Sequence, residues 1–356
     1  MSAVAATGLK ESRPSFFVGG KEQPTLFAGL ARLRIEETTA GLYRCEAKFG
    51  NWGIKDGRTD FLHFDRRTLD FGKDFQVKLA DKLLFDGRIM GLEADFPEAG
   101  SPEITVLAED RFQDLRMTRR TRTFEDVSDA DVFNQIASDH GLSPGIDARG
   151  PTHKVLAQVN QSDLAFLRER ARSIDAELWL EGKTLNVRTR SARAAQPLTL
   201  KRGMELREFR VLADLAQQRT SVSVGGWDVS AKKALKHDAE ESAVSSEVGG
   251  DESGVSILRS KIGERRESLA HAVPFQGQEA QAAAESFFRM SARRFLTGRG
   301  VAETRPELRA GATVDLKELG PLFSGKYYLT EVRHLFDNAK GTRTEFRAER
   351  PGIGRG

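Results

Sequence analysis

Cys45 is the only cysteine in this 356-residue chain, so no internal disulfide can form. A chain with one thiol suits a reducing compartment. Cys45 lies in a strand-like stretch, 42–49, and reads as a buried small hydrophobe, not a nucleophile. Long apolar runs are also missing. Apolar residues make up 39% but come a few at a time, far short of the roughly 20 that a membrane helix needs. The opening MSAVAATGLKESRP meets charge before any apolar stretch develops, so no signal peptide is expected. Neither charge sign dominates: 55 basic residues against 52 acidic ones leave +3. A dedicated nucleic-acid binder normally concentrates a basic excess, so that class is disfavoured.

Chemical signatures are equally scarce. The chain has no GxxxxGK phosphate loop, no GxSxG elbow, no HExxH and no CxxC. Its six histidines, at 63, 140, 153, 237, 271 and 334, show no ligand spacing, so no metal and no cofactor are expected. Glu93/Asp95 and Glu109/Asp110 can be posed as glycosidase acids, but Glu109 and Asp110 are strand neighbours pointing to opposite faces. His140 falls at a helix end and His334 on a strand, both in structural settings.

What is present is pattern, and 160–190 carries the clearest. Ser162 is a good N-cap, and Asp163 puts a carboxylate where the first turn favours one. Leu164, Leu167, Ala171 and Ile174 share a helix face, with Arg168, Glu169, Arg170 and Arg172 on the solvated side. The period then changes to two: Leu178, Leu180, Leu185 and Val187 alternate about a turn at 181–183, which predicts a hairpin. The unit is built to pack.

Around it the chain divides. Residues 1–13 form an N-terminal arm. Residues 14–115 have strand texture, with runs at 31–37, 42–49, 75–79, 84–89 and 104–108. A Gly/Asp-rich stretch, 50–74, reads as a surface loop or flap. Residues 116–197 form an inserted α/β unit. It opens with four arginines in 116–124, read as a solvated or partner-facing linker in preference to a phosphate patch, and continues with a helix over 128–140. Strands resume in 198–229 and 275–356, together with a helix over 279–296, while 230–274 reads as a polar linker or excursion. Trp179 and Trp227 are assigned to core or interface packing.

There is also a repeat. LFDGR at 84–88 and LFSGK at 322–326 each precede a strand, a polar loop and a second strand, ending at Arg111 and Arg350. The repeat predicts two related β domains, each a small barrel or sandwich, with the helix-plus-hairpin unit inserted between them.

Motif order then suggests a family. Leu308, Gly311, Phe323-Ser324-Gly325-Lys326-Tyr327-Tyr328, Val332, His334, Gly341, Thr344, Phe346 and Arg350 resemble the end of the late control D family of phage tail proteins, which is similar to the hub portion of VgrG proteins of type VI secretion. The family's S-D-x-x-F-L helix start resembles 162–167, and 226–228 and 295–300 agree with it too. The resemblance implies a non-enzymatic baseplate hub, made in the bacterial cytoplasm and assembled into a phage tail or tail-like particle such as a tailocin or contractile injection system. It also implies an α+β fold of two related tube-like antiparallel β-barrel domains with the α/β unit inserted, so that three chains with two copies each would form a pseudo-sixfold ring. Its implied partners are itself as a homotrimer, a tail-tube or tube-initiator protein, a separate spike protein, and tape-measure and baseplate wedge proteins. No membrane anchoring and no sequence-specific nucleic acid are implied. VgrG proteins continue into a barrel and a β-helical needle, whereas this sequence stops six residues after Arg350, so the spike is expected as a separate chain. Ser162, Asp163, Leu167, Leu178, Trp179, Trp227, Phe85, Gly87, Phe323, Gly325, Tyr327 and His334 are the structural or interface candidates. A tail-associated cell-wall hydrolase and a nucleic-acid module using 116–122 are the competing readings.

Overall fold

The computed structural model describes residues 13–79, 81–193, 196–228, 231–270 and 274–355. All but the last residue of the expected N-terminal arm lies outside that set, as does His271. The chain is α+β, mostly antiparallel sheet with few helices. It forms two compact units. One contains Met1–Gln113, Val301–Ala310 and Glu331–Phe346; the other contains Asp114–Gly300, Gly311–Thr330 and Arg347–Gly356.

In the first unit the strands lie in the order 331–337, Leu30–Thr38, Arg44–Gly50, Glu103–Glu109, Lys82–Asp95, Asp74–Leu79, Pro14–Val18 and Lys21–Glu22. Alternation drives this arrangement. Leu33 and Ile35 face Ala47 and Cys45 in register, and all four are buried, while Arg34 and Glu36 point outward and pair with each other. Burial pushes the Cys45 thiol pKa up, as befits an inert core residue. Phe16 packs edge-on to Phe49 at 5.2 Å and leans on Phe75 at 6.0 Å, giving the core its aromatic centre. Glu37 points inward from the same strand and is fully buried. It accepts from the Ala310 backbone N–H at 3.2 Å and pairs with Arg309 at 2.6 Å, which ties 301–310 to the strand. Among the described residues the strand pairings run in linear order and close no barrel.

The stretch 50–74 is more ordered than a flap. Trp52–Lys55 and Arg58–Phe61 form a hairpin, and Trp52 meets Phe61 edge-on at 5.1 Å. Buried Asn51 accepts from the His63 backbone N–H at 2.7 Å, closing the loop base.

In the second unit Arg119–Ser128 and Thr152–Ser162 pair as an antiparallel ribbon. The predicted hairpin is present as Ala176–Glu181 and Thr184–Thr189, with Leu178 opposite Val187 and Leu180 opposite Leu185. Its alternation is broken because Trp179 and Asn186 are buried as well. The helix expected over 279–296 spans Gly277–Ala292, and Leu296–Ala302 is a strand. The polar stretch 230–274 is not a loose linker where it is described. It holds strand Lys233–Glu240, helix Gly254–Lys261 with Ser253 as N-cap, and strand Arg266–Leu269. Val244, Val255 and Leu269 from this stretch share a core with Val222, Val224, Ala284 and Phe288. Gly225-Gly226-Trp227-Asp228 ends strand Ser221–Asp228.

The two repeat copies occupy comparable places. LFDGR lies inside strand Lys82–Asp95, and LFSGK runs from the one-turn helix Gly320–Phe323 into strand Gly325–Asp337. The neighbouring strands are Glu103–Glu109 and Gly341–Arg350. Each repeat glycine abuts the far end of its partner strand. A Cβ on Gly87 would sit 2.2 Å from the Glu109 carbonyl oxygen, and one on Gly325 would sit 2.8 Å from the Arg350 guanidinium. Gly87→Ala is expected to cost about 1–3 kcal/mol by overpacking against backbone that cannot yield. Gly325→Ala adds backbone strain at φ +137° and should cost at least as much. Thermal melts of the two variants check both values.

Candidate functional site

The second unit concentrates the molecule's buried polar chemistry, and the 160–190 stretch is at its centre. Ser162 accepts from the Ala165 backbone N–H at 3.2 Å, the N-cap bond read from sequence. Asp163 follows at 1% exposure. Its carboxylate accepts from Arg122 at 2.9 Å and Gln158 at 2.9 Å, meets His140 Nε2 at 2.8 Å, and pairs with Arg120 at 3.1 Å. Burial alone would raise its pKa. The His140 and Gln158 hydrogen bonds and the two arginines outweigh that and hold it below the ordinary Asp value. Two of the four arginines in 116–124 are therefore committed to an internal carboxylate, which removes the phosphate-patch option for them. His140 is the C-cap residue of helix Asp129–Asp139, and its ring reaches a titratable partner that the sequence did not offer at close spacing.

Arg170, assigned to a solvated face, instead donates from Nε to Asp129 at 2.6 Å. Leu167 and Leu178 are in the core at 0% and 2% exposure, and Phe166 stacks on Phe124 at 5.8 Å. Past the hairpin, two arginines serve as flat packing surfaces. Arg193 lies over the Trp179 ring at 4.1 Å and donates to Glu177 at 3.0 Å, while Arg190 lies over Tyr328 at 4.0 Å and donates to Glu349 at 2.5 Å. Tyr328 donates its hydroxyl to Glu177, and burial pushes its pKa up. Gly311 makes room for this stack, since a Cβ there would lie 1.9 Å from Arg193 Nε.

The remaining candidates divide between core and surface. Phe85 is buried, Phe323 is half-buried, and Tyr327 donates its hydroxyl to the Phe323 carbonyl at 2.9 Å while Arg350 lies over its ring at 5.4 Å. His334 is buried, with Nδ1 3.0 Å from the Thr344 hydroxyl; burial pushes its pKa down to about 3, so it is a neutral structural residue. Trp227 is 53% exposed on its strand, which leaves the interface half of its core-or-interface assignment.

Sequence reasoning missed a third buried cluster around Arg293. Its guanidinium is 5% exposed and pairs with both oxygens of Asp175 and both oxygens of Glu247. The partners are 118 and 46 residues away along the chain, so no local signal could show them. The Asp129 cluster did leave a trace, because Ser128-Asp129 repeats the Ser162-Asp163 cap. These clusters neutralise buried charge internally. Among the described residues no group of three or more His, Cys, Asp or Glu is arranged to hold a metal ion, and no helix is long and apolar enough to cross a membrane.

This architecture is shared with tail proteins. The 43 kDa tail protein of prophage MuSo2 from Shewanella oneidensis superposes with a TM-score of 0.70 at 13% identity, covering 95% of this chain and 98% of that one. A tail protein from Neisseria meningitidis gives 0.70 at 16%, covering 96% and 97%. A type VI secretion component of E. coli gives 0.56 at 11%, covering 92% and 76%. Comparison with curated proteins finds no match. The fold class is that of phage-tail and type VI secretion proteins. By sequence, the chain belongs to the Alg8 N-terminal domain family, whose model matches residues 59–338.

Proposed function

We propose that this protein is a structural hub subunit of the late control D or VgrG type, at the tip of a phage tail or tail-like injection particle, and not an enzyme. Three copies form a ring in which two tube-like β domains per chain alternate around a pseudo-sixfold axis. One face meets the tail tube and the other a separate spike protein. The observation that carries this reading is the fold, shared over nearly the whole length of two tail proteins. The matched placement of the two repeat glycines supports paired domains. The commitment of Asp163, His140, Arg120 and Arg122 to one another supports a framework role over chemistry. Exposed Trp227 and the Trp52–Phe61 hairpin are candidates for contact with neighbouring subunits.

Light scattering coupled to size exclusion tests the assembly. The expected mass is about 118 kDa, three times the 39.4 kDa chain. A monomer both in solution and in assembled particles overturns the ring. Peptidoglycan release abolished by replacing one carboxylate would replace this reading with the hydrolase.

A further inference from the structure

The Asp129 cluster joins three helices and a strand through a single imidazole. His153, from strand Thr152–Ser162, is 5% exposed. Its Nδ1 lies 2.7 Å from Glu279 Oε1, and its Nε2 lies 3.0 Å from Asp129 Oδ2. Asp129 is the first residue of helix Asp129–Asp139 and is fully buried. Glu279 is in the first turn of helix Gly277–Ala292. Its other oxygen accepts from the backbone N–H groups of Phe275 at 2.7 Å and Gln276 at 3.3 Å, so the side chain that grips His153 also caps its own helix. From helix Asp163–Ser173, Arg170 donates to Asp129 at 2.6 Å and brings Nη2 within 3.0 Å of His153 Nε2. On the paired strand His153 faces Val127, and the nearby Asp126 is engaged by Lys154.

We propose that His153 is a proton-operated latch holding the start of helix Gly277–Ala292 against the Asp129 and Asp163 helices. The reason is a count of donors. An imidazolium has two N–H groups and serves both carboxylates, whereas a neutral ring has one. Asp129 cannot reach water, while Glu279, at 13% side-chain exposure, can turn outward. With the remaining proton on Nδ1, Arg170 Nη2 could donate to Nε2, but the same lone pair would face the buried Asp129 oxygen at 3.0 Å. The proton therefore stays on the Asp129 side. Glu279 then faces a lone pair, and its arm lets go.

Burial pushes the imidazole pKa down, and Arg170 adds to that. The hydrogen bonds to Asp129 and Glu279 outweigh both and hold it above the ordinary His value. A raised folded-state pKa means the latch is at full strength below about pH 6.5 and is lost as pH rises through the raised value. Asp129 and Glu279 are both held below their ordinary carboxylate values, so the acid limit of the latch lies beneath those.

Hydrogen exchange of the full-length protein between pH 5 and 9, corrected for intrinsic rates, reads the latch at amides 275–282. Protection there is expected to be flat below pH 6.5 and then to fall by up to tenfold per pH unit once His153 loses its proton. His153→Gln and Glu279→Gln should each flatten the profile. Flat protection in the wild type overturns the proposal. So does a profile that survives both substitutions, since a group other than His153 would then set it. Should a variant fail to fold, NMR titration of the His153 ring decides: a midpoint at or below the ordinary His value overturns the latch.

Discussion

Leu167→Asp is expected to leave no folded protein. Leu167 is at 0% exposure on the inner face of helix Asp163–Ser173, so the new carboxylate is shut off from solvent. An uncompensated buried charge costs several kcal/mol even after its pKa rises to escape ionisation, and the lost apolar packing adds to this. The sum exceeds about 4–5 kcal/mol, against a typical domain stability of about 5–15 kcal/mol. Leu167→Ala, which only opens a cavity, should cost about 2–5 kcal/mol and keep a cooperative transition. Far-UV circular dichroism and urea unfolding of the two variants separate the outcomes. If Leu167→Asp unfolds like wild type, the helix does not form the core contact described for it.

Arg293→Ala should be the most damaging polar substitution. It strips two half-buried carboxylates, Asp175 and Glu247, of the buried cation they share, and breaking one side of a buried ion pair costs up to about 3–5 kcal/mol. Arg293→Lys keeps the charge but cannot serve both carboxylates bidentately, so it should recover only part of that loss. The penalty must also depend on pH. Burial would raise the Glu247 pKa, but the Arg293 hydrogen bond and charge hold it below its ordinary value. The stabilisation is therefore complete above about pH 4.5 and disappears as pH falls through the depressed value. The gap between Arg293→Ala and wild type should narrow over that same window. Urea midpoints at pH 7 and at stepped lower pH measure it, and a gap independent of pH would assign the loss to packing.

How much was legible follows from how far each signal reaches along the chain. The Ser162 cap, the apolar stripe through Leu167 and the Leu178–Val187 hairpin are set by residues within a turn or a strand pair, and all three were readable. Helix Gly277–Ala292 was extended four residues too far because Phe295 and Leu296 continue its apolar spacing; both are buried, but Leu296 opens a strand. Strand Lys233–Glu240 was missed because it exposes nearly every side chain and buries only Ala239, so its composition resembles a linker. The buried charge clusters were out of reach for another reason. His153 and Glu279 are 126 residues apart, and nothing in either local sequence specifies the other. His140 illustrates the same limit, since its partner Asp163 is 23 residues away.

The division of the first unit along the chain sets a timetable for synthesis. Strand Leu30–Thr38 pairs with residues 331–337, so one of its edges has no native partner until almost the whole chain has left the ribosome. At about 5–20 residues per second, the roughly 300 intervening residues take on the order of 15–60 s to emerge. During that interval a strand with one apolar face, flanked only by Arg44–Gly50, presents an open hydrogen-bonding edge to other nascent chains on the same message. Slower initiation or a bound chaperone should therefore raise soluble yield more than any single stabilising substitution in the finished molecule.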